Sequence, residues 1–583
     1  MAKKWGILIK KESESLIFTG LKIPRDYCIK KEEKMIFDYS YIDKAFINGR
    51  IITVNARDDI CEAVGIKKNK IVFIGSNEEI KSLIDENTEI IDLKGRAMTP
   101  GFIDSHYHPI LSGFMNGAIF DATYPKCKSI EDIKELVRER AKVTPKGDWI
   151  KLWGYDNNKL VEKRHVTLED LDAAAPDHPV QCMRTCGHVC IYNTLGLAAG
   201  DIKMPEDIKR FGEGEIEVVD GKFTGLTRDL SAFYLWSKVK YTDEELREAI
   251  ERANKVCLEG GITSVHDCGE CDAPAYSMMF KAARNGWFKP RQFMMLHSIF
   301  GKPFSKEDNE HFLNLGFHTG LGNQRFRIGS CKFMVDGGSS GPTMATREPY
   351  SHNPDLPRIL SWEREEVASY IDYINKHDCQ ATAHAEGDLA VEFMVEGYEK
   401  ALKNYYRKPE EHRHRIEHCV IVDDDLIQRM KIMGIIPVAN THFIPLNGSD
   451  YHRYFGERIN YLFALRSFID AGLKPAIGCD APTAMCDAIA GLDGAVNRID
   501  RGTGEICGPE QRISMLEAIR CYTINGAYAS FEDDIKGSIE IGKLADFTVF
   551  SDDILAIDPV DIVKTKVDYT IIDGEICYKR GEN

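Results

Sequence analysis

The middle of the chain, residues 99–535, alternates short apolar runs with longer amphipathic stretches, and this alternation constrains the fold more than any other feature. Apolar residues recur at three- and four-residue intervals in Asp243–Glu259 and Arg364–Lys376, which predicts helices there. Strand-like runs that alternate with helices are typical of βα units and a parallel sheet. We therefore predict an α/β fold, a (β/α)₈ TIM barrel, with one large insertion at about residues 111–242.

The two ends of the chain have a different pattern. Short β-type runs broken by turn signals fill residues 41–98, and the same pattern returns in residues 536–583. We predict one small β-sandwich built from both termini, with Asn48-Gly49 forming a hairpin turn. Residues 1–40 are charged and only weakly periodic, which indicates an N-terminal extension of unknown role.

Composition excludes several classes of partner. The net charge of −16, without a long run of basic residues, disfavours binding to nucleic acid or to an anionic membrane. Hydrophobic residues make up 43% and charged residues 28%, which is typical of a soluble globular enzyme. The first apolar stretch is too short for a signal peptide, and no run reaches membrane-spanning length. We expect a cytoplasmic protein whose partner is a small molecule.

The cysteines support the same expectation. There are 17 of them, an odd number scattered without a short repeat, which favours reduced thiols over a disulfide framework. Cys268 and Cys271 form the segment C-G-E-C, but no matched second pair accompanies them, so we do not expect a zinc finger.

One apolar run, within Thr99–Pro109, ends in two histidines separated by a single residue. In an extended strand successive side chains alternate, so His106 and His108 share a face and Tyr107 points away. Neutral imidazole is the commonest protein ligand for first-row metals. A surface turn would explain the pair equally well, so the decision depends on partners elsewhere in the chain.

Metal- or proton-handling side chains also occur where four other apolar runs end: Lys332, His384, His418 and Asp480. The carboxyl ends of barrel strands meet at one face, so residues far apart in sequence become neighbours there. Each residue has a structural alternative: a histidine bonded to backbone or to a neighbour such as Glu417, a lysine that extends to water, or an aspartate that caps a turn. Their repetition at separate strand ends favours a shared site.

These segments together resemble the amidohydrolase superfamily, in particular its amidohydrolase-3 branch, which includes proteins similar to N-substituted formamide deformylase. The matching pieces are P-G-F-I-D-S-H-Y-H-P, G-I-T-S-V-H-D-C-G, C-K-F-M-V-D-G-G, H-A-E-G-D-L-A-V, R-I-E-H-C, I-G-C-D-A-P and G-S-I-E-I-G-K-L-A-D-F-T-V-F. The resemblance implies a (β/α)₈ barrel with a metal site at its C-terminal mouth, a terminal β-sandwich and a homodimer. It also implies a metal-dependent hydrolase that cleaves a non-peptide carbon–nitrogen bond, with an N-formyl or N-acyl amine as the favoured substrate.

The same resemblance assigns six residues to a two-metal centre: His106 and His108 at the buried metal, His384 and His418 at the exposed one, Lys332 as the bridge, and Asp480 as a further ligand and the base. An ammonium group has no lone pair to offer, so a bridging lysine must be carbamylated by CO₂. Nitrogen and oxygen donors favour two Zn²⁺ ions, with Mn²⁺ and Fe²⁺ still open. A metal ion lowers the pKa of water from 15.7 toward about 7, which makes it a nucleophile at neutral pH.

The insertion supplies the expected substrate contacts. His188 resembles a position near the pocket of this branch and is expected to donate to the oxyanion, while Arg184 is expected to support the loop. Trp153 and Tyr155 are candidates for an aromatic wall, although core packing explains such residues as well.

Two alternatives remain at this stage. A deaminase of a cyclic amidine would use one metal and needs no bridging lysine, so Lys332 disfavours it. A non-catalytic regulatory or binding homologue is disfavoured because competent residues occupy all the expected ligand and base positions.

Overall fold

The protein is represented by a computed structural model that describes residues 15–18, 21–24, 41–115, 117–211, 215–269, 273–297 and 306–582, with backbone alone for the first two ranges. The chain divides into two compact units, Met1–Tyr41 and Ile42–Asn583. In the first unit, Ser15–Phe18 pairs antiparallel with Leu21–Pro24. The rest of the predicted extension 1–40 lies outside the described residues, as does Cys271.

Eight parallel strands form the central sheet, numbered here β1 to β8 in chain order. Their bounds are Phe102–Tyr107, Ile262–Asp267, Arg291–Leu296, Phe326–Met334, Ala381–Ala385, Arg415–His418, Ile436–Ala439 and Ala476–Ile477. Each strand pairs with the next in sequence, as in a barrel. The backbone N–H of Asp480 donates to the carbonyl of His106 at 2.7 Å, which brings the end of β8 against β1. The predicted (β/α)₈ barrel is confirmed.

Helices surround these strands, and both helices predicted from periodicity, Asp243–Glu259 and Arg364–Lys376, have the predicted bounds. The first begins at a capping box, in which Thr242 accepts from the Glu245 N–H. The other α-helices are Asn77–Ile80, Pro109–Phe114, Ile130–Ala141, Leu168–Ala174, Thr194–Ala199, Asp229–Trp236, Ala273–Asn285, Lys306–Asn314, Asp388–Asn404, Pro409–His412, Asp424–Met433, Phe443–Phe455, Leu465–Ala471, Ala488–Val496, Met515–Tyr522 and Ile524–Ala529. Short 3₁₀ helices span Lys81–Leu83, Pro205–Arg210, Gly456–Tyr461, Pro509–Gln511 and Pro559–Lys564.

The connection from β1 to β2 carries a second sheet, which has six strands. In spatial order these are Phe120–Asp121, Ile150–Tyr155, Val180–Arg184, Val189–Tyr192, Lys222–Arg228 and Ile216–Val219. The sheet lies within the predicted insertion 111–242, and its central strands are wholly buried. It places the turn at residues 185–188 at the mouth of the barrel, where His188 lines a pocket together with barrel residues.

Strands from both ends of the chain form a third sheet, which has six strands. Strands between Lys44 and Asp92 also form a fourth sheet, which has four. The six-stranded sheet runs Glu575–Lys579, Val567–Ile572, Phe547–Phe550, Ala97–Pro100, Arg50–Ile52 and Ile60–Cys61, and the four-stranded sheet runs Lys70–Gly75, Ala63–Lys67, Lys44–Ile47 and Glu89–Asp92. These sheets are consistent with a terminal β-domain, although its exact boundaries stay a prediction.

The hairpin predicted at Asn48-Gly49 is wrong. The strand before it, Lys44–Ile47, and the strand after it, Arg50–Ile52, belong to different sheets. The turn leads the chain from one sheet to the other and packs against Leu93. A Cβ added to Gly49 would lie 2.5 Å from Cδ1 of Leu93. Tertiary packing therefore overrides the local turn signal.

The largest buried apolar cluster joins the barrel, the insertion and the terminal sheet. Phe102 of β1 packs edge-on against Phe550 of the terminal sheet, with ring centroids 5.7 Å apart. In the described part of the chain, every helix is too short or too polar to cross a lipid bilayer.

Candidate metal centre

Six residues predicted at the site lie at or just beyond barrel strand ends and line one pocket of about 580 Å³. They are His106 in β1, His108 directly after it, Lys332 in β4, His384 in β5, His418 at the end of β6 and Asp480 shortly after β8. Parallel barrel strands direct their carboxyl ends toward a common mouth, which explains why residues so distant in sequence converge.

A first group of ligand atoms comes from His106, His418 and Asp480, which lie within 4.8 Å of one another. The carboxylate of Asp480 is 3.4 Å from Nε2 of His106 and 3.3 Å from Nε2 of His108. His418 and Asp480 both have left-handed backbone, with φ of 69° and 58°. Such backbone is uncommon outside glycine and clusters at functional sites.

A second group comprises His384, Glu386 and His418, again with ligand atoms within 4.8 Å of one another. The rings of His384 and His418 lie 4.4 Å apart. His418 Nδ1 is 2.8 Å from Oδ1 of Asn440, and His384 Nε2 is 3.1 Å from the carbonyl of Gly337. The protein engages one nitrogen of each ring and leaves the other for a ligand.

Lys332 lies beside the first group and lines the same pocket as both groups. Its side chain is 3% exposed, and its Nζ lies 3.3 Å from Nε2 of His106. A lysine in such a position does not extend to water, which was the structural alternative that the sequence left open.

A buried charge network fixes the orientation of His106. Its Nδ1 is 2.7 Å from Oε2 of Glu417, and Arg415 donates to both oxygens of that carboxylate, at 2.6 and 3.0 Å. A carboxylate on the outer nitrogen fixes the tautomer of a histidine ligand and aims the other nitrogen at the metal. The sequence suggested Glu417 as a partner of His418, but the structure pairs it with His106.

The electrostatics of the pocket favour a cation. Burial keeps the pKa values of His384 and His418 well below the ordinary value, so both rings are neutral. Burial opposes ionisation of Asp480, but hydrogen bonds from His106 and His108 hold its pKa well below the usual range. Burial likewise opposes a charge on His106, whereas Cys268 and Asp480 raise the pKa of that ring. Negative charge therefore faces His106.

Two insertion residues reach this pocket. His188 Nδ1 is 2.7 Å from Oδ1 of Asp229, and the His188 ring lies 5.0 Å from that of His384. Burial disfavours the charged ring, but the contact with Asp229 raises the pKa of His188 to about 9. Trp153 also lines the pocket, and its Nε1 has no hydrogen-bond partner among the described residues.

The other two predicted insertion residues lie elsewhere. Arg184 lines a neighbouring pocket and donates to Asn157 and Asp156 at 2.8 and 3.0 Å. Tyr155 is buried in the core of the insertion, with its hydroxyl 2.9 Å from Nδ1 of His165. Tyr155 is therefore a core residue, which was the alternative that the sequence allowed for it.

Several residues at the site were missed by the sequence analysis. Glu386 lies two residues after His384, and residues two apart in an extended chain share a face. This spacing from a predicted ligand could have identified Glu386 in the sequence. Cys268 directly follows β2, and its sulfur lies within 4.8 Å of ligand atoms of His106 and Glu417. Cys268 therefore lies beside the first group of donors, because the end of β2 reaches the same mouth as the other strands.

The donor set fits a divalent cation. Two overlapping groups of imidazole and carboxylate donors are present, the His384 and His418 rings are neutral, and His106 is oriented by a buried carboxylate. Imidazole and carboxylate are ligands that Zn²⁺ and related metals accept. The geometry also allows activation of a small molecule next to a proton acceptor, Asp480, and a donor, His188.

Known proteins are similar to this chain in sequence and in fold. The Amidohydrolase family matches residues 89–578. The amidohydrolase YtcJ of Bacillus subtilis is 30% identical, over 91% of this chain and 98% of its own length. The N-substituted formamide deformylase of Arthrobacter pascens is 26% identical, over 92% of this chain and 98% of its own. The crystal structure of an uncharacterized metal-dependent hydrolase from Pyrococcus horikoshii superposes with a TM-score of 0.70 at 25% identity, and the match covers 88% of this chain and 99% of that one.

The family match covers well over half of the chain and includes every strand of the barrel and the six residues gathered at its mouth. The chain therefore belongs to the amidohydrolase family and is a metal-dependent hydrolase that acts on carbon–nitrogen bonds.

Proposed function

We propose that the protein hydrolyses a linear, non-peptide amide, an N-formyl or N-acyl amine, at a centre of two divalent cations. The observation that carries this proposal is the position of Lys332, whose buried Nζ lies 3.3 Å from Nε2 of His106 within the histidine cluster. A bridging group derived from lysine suits two cations and has no role in a one-cation deaminase. The likeness to an N-substituted formamide deformylase supports the substrate class.

The family resemblance supports an assignment of the donors to two cations. His106, His108 and Asp480 would hold one cation, and His384 and His418 the other. Lys332 would bridge them as a carbamate formed with CO₂, because an ammonium group cannot ligate a cation. The mixed nitrogen and oxygen donors favour Zn²⁺. When bound, the cations supply Lewis acidity, which polarises an amide carbonyl and lowers the pKa of water from 15.7 toward about 7.

Side chains of the protein transfer the protons, stabilise the oxyanion and exclude water. Asp480 accepts the proton of the attacking water and returns it to the departing nitrogen. Its low pKa keeps the carboxylate ionised, and it lies 3.3–3.4 Å from two imidazoles. His188 donates to the carbonyl oxygen as negative charge develops there, with Asp229 fixing its ring. Trp153 forms part of the wall that excludes water.

We also propose a small-molecule substrate, a cytoplasmic location and a homodimer. The pocket is lined by converging polar groups together with apolar and aromatic side chains such as Leu111, Trp153 and Phe233, which suits a small-molecule substrate. A cytoplasmic location is supported by the described cysteines, which are free thiols. A homodimer is proposed from the family resemblance, and light scattering on the purified full chain tests it.

The first test measures the metal centre itself. We expect about two zinc ions per chain by inductively coupled plasma mass spectrometry. After incubation with ¹³C-bicarbonate, we expect a carbamate carbon in the ¹³C NMR spectrum. Lys332→Ala should remove that signal and lower the metal content, whereas Lys151→Ala, at another buried lysine beside Glu245, should change neither. Full metal occupancy and unchanged activity in Lys332→Ala would contradict the bridging role.

The second test identifies the reaction. A panel of N-formyl and N-acyl amines should release formate or a carboxylate and the free amine, and a chelator should abolish this release until Zn²⁺ is restored. One metal per chain, together with ammonia release from cyclic amidines and no turnover of linear amides, would replace this proposal with the deaminase.

A further inference from the structure

A second pocket of about 650 Å³ lies next to the metal pocket, where the insertion meets two barrel loops. Arg184 and Arg228 of the inserted sheet form one side, and Arg453, on the helix Phe443–Phe455, forms another. We call it the arginine pocket.

The turn that carries His188 separates the two pockets. Cys186 and His188 line the metal pocket, whereas Arg184 and Val189 on either side line the arginine pocket. The wall is thin, because a Cβ on Gly341, which lines the arginine pocket, would stand 3.0 Å from the sulfur of Cys186. A group bound in the arginine pocket therefore lies directly behind the turn of the candidate oxyanion donor.

The lining is cationic. It includes three guanidinium groups, and no carboxylate lines it within the part of the chain that the structure describes. Each arginine has an acidic neighbour outside the lining. These pairs are Arg184 with Asp156 at 3.0 Å, Arg453 with Asp450 at 2.8 Å, and Arg228 with Glu217 at 3.4 Å. None of these carboxylates is part of the lining, so the charged groups that line the pocket are the three arginines.

Arg184 is the most constrained of the three. Its side chain is 3% exposed, and Nε and Nη2 donate to Asn157 and Asp156. Its Nη1 is buried and has no hydrogen-bond partner among the described residues. A buried donor of a charged group without a partner is unfavourable, and such groups in native proteins usually meet a ligand or water.

A neighbouring histidine adds no charge to the pocket. His165 also lines the arginine pocket, and its pKa is lowered to about 3, first by burial and then by the charges of Arg184 and Arg228. The ring is therefore neutral at physiological pH, and the positive charge of the pocket comes from the arginines.

We propose that the arginine pocket binds the carboxylate or phosphate group of a small anionic molecule. Guanidinium groups recognise both anions through paired charge-assisted hydrogen bonds, and Arg184 and Arg453 are positioned for this by Asp156 and Asp450. The group belongs either to the acidic end of the amide substrate or to a separate effector that acts on the His188 turn. Only the first source rests on the proposed function.

Calorimetry on the metal-loaded full chain tests the binding itself, with inorganic phosphate and glutarate as probes. Arg453→Gln should weaken binding of both by about tenfold, since one charge-assisted contact is lost. Arg228→Gln serves as a second variant. The matched control is Arg247→Gln. Like Arg453, Arg247 is a half-exposed helical arginine with an acidic partner on its own helix and a cation–π contact, but it lies elsewhere.

Two outcomes of the calorimetry are decisive. Loss of binding in Arg453→Gln and Arg228→Gln, with wild-type binding in Arg247→Gln, supports the site. Wild-type binding in all three variants would mean that the anions bind only at the metal centre, which overturns the proposal.

Kinetics then distinguish the two sources. N-formyl-6-aminohexanoate and N-formylhexylamine differ only in a terminal carboxylate. If the substrate carries the anion, Arg453→Gln raises KM about tenfold for the first compound and leaves the second unchanged. If a separate effector binds, the two KM values respond alike, and phosphate alters turnover of the neutral amide in wild type but not in Arg453→Gln. Anion binding without hydrolysis of either amide would remove the proposed substrate class and leave the pocket assignment standing.

Discussion

The barrel side and the insertion side of the metal pocket are built in different ways. On the barrel side, ligands stand at strand ends and each ring is held by a buried partner, as Glu417 holds His106 and Asn440 holds His418. On the insertion side, His188 stands on a turn and depends on one carboxylate, that of Asp229. We infer that barrel residues control the metal and its base, whereas insertion residues control contacts to the substrate.

The largest effect is expected for Asp480→Asn on the barrel side. The amide keeps the size of the side chain but cannot accept a proton, so kcat should fall by about 10³- to 10⁴-fold. Four histidines and Lys332 remain as donors, so metal content should stay near the wild-type value. Stopped assays together with metal analysis measure both quantities. A variant that turns over normally would rule out Asp480 as the base and weaken the contrast between the two sides.

His188→Asn tests the insertion side. Loss of the donor to the developing oxyanion should lower kcat by about 10²- to 10³-fold without loss of metal. Asp229→Asn is the matched variant, since it keeps the His188 ring and removes the charge beside it. Asp229 has φ of 46°, which asparagine tolerates, so the backbone should be retained. We expect a smaller loss there, and a loss of metal in either variant would contradict the division of roles.

Glu417→Gln tests the barrel side without changing any of the predicted ligands. Removal of the charge that orients His106 should weaken metal affinity by about 10- to 100-fold. Activity should recover at saturating Zn²⁺, which separates this effect from that of Asp480→Asn. Buried Arg415 would also lose its anionic partner, so the melting temperature should fall. Titration of the apo-protein with zinc, and calorimetric melting, check the two expectations.

The smallest effect is expected for Trp153→Phe on the insertion side. The aromatic wall remains, but a substrate can no longer accept a hydrogen bond from the indole N–H, which has no partner among the described residues. We expect kcat/KM to fall by less than about tenfold, as for one neutral hydrogen bond. Trp236→Phe is the control, because the Trp236 Nε1 already donates to Tyr241 at 3.0 Å and its loss should lower stability instead. Equal kinetic effects in both variants would argue against a contact from Trp153.

The barrel side was largely predictable for a local reason. The apolar periodicity of a helix, 3.6 residues, and that of a strand are visible within short stretches of sequence. The helices Asp243–Glu259 and Arg364–Lys376 could therefore be placed. Once the barrel is assumed, its strand ends must meet at one mouth. That geometric rule brings His106 and His418 together, and the two rings lie 4.4 Å apart.

The insertion side was less predictable because no comparable rule relates its strands to the barrel. Trp153 and Tyr155 are two residues apart on one strand, yet Trp153 lines the pocket and Tyr155 is in the core of the insertion. A bulge in the pairing between Trp153 and Tyr155 interrupts the alternation that would place both on one face. Asp229, the partner of His188, lies 41 residues further along the chain and carries no local signal.

The sequence alone determined the fold class, the family resemblance and the set of donors at the strand ends, because periodicity and strand alternation act over a few residues. Tertiary structure decided the partners: Glu417 orients His106, Cys268 lies beside His106, Asn48-Gly49 connects two sheets, and Arg184 lines a separate pocket. These outcomes depend on which buried polar groups can be satisfied together and which side chains pack against each other, and both conditions apply only once distant segments are in contact.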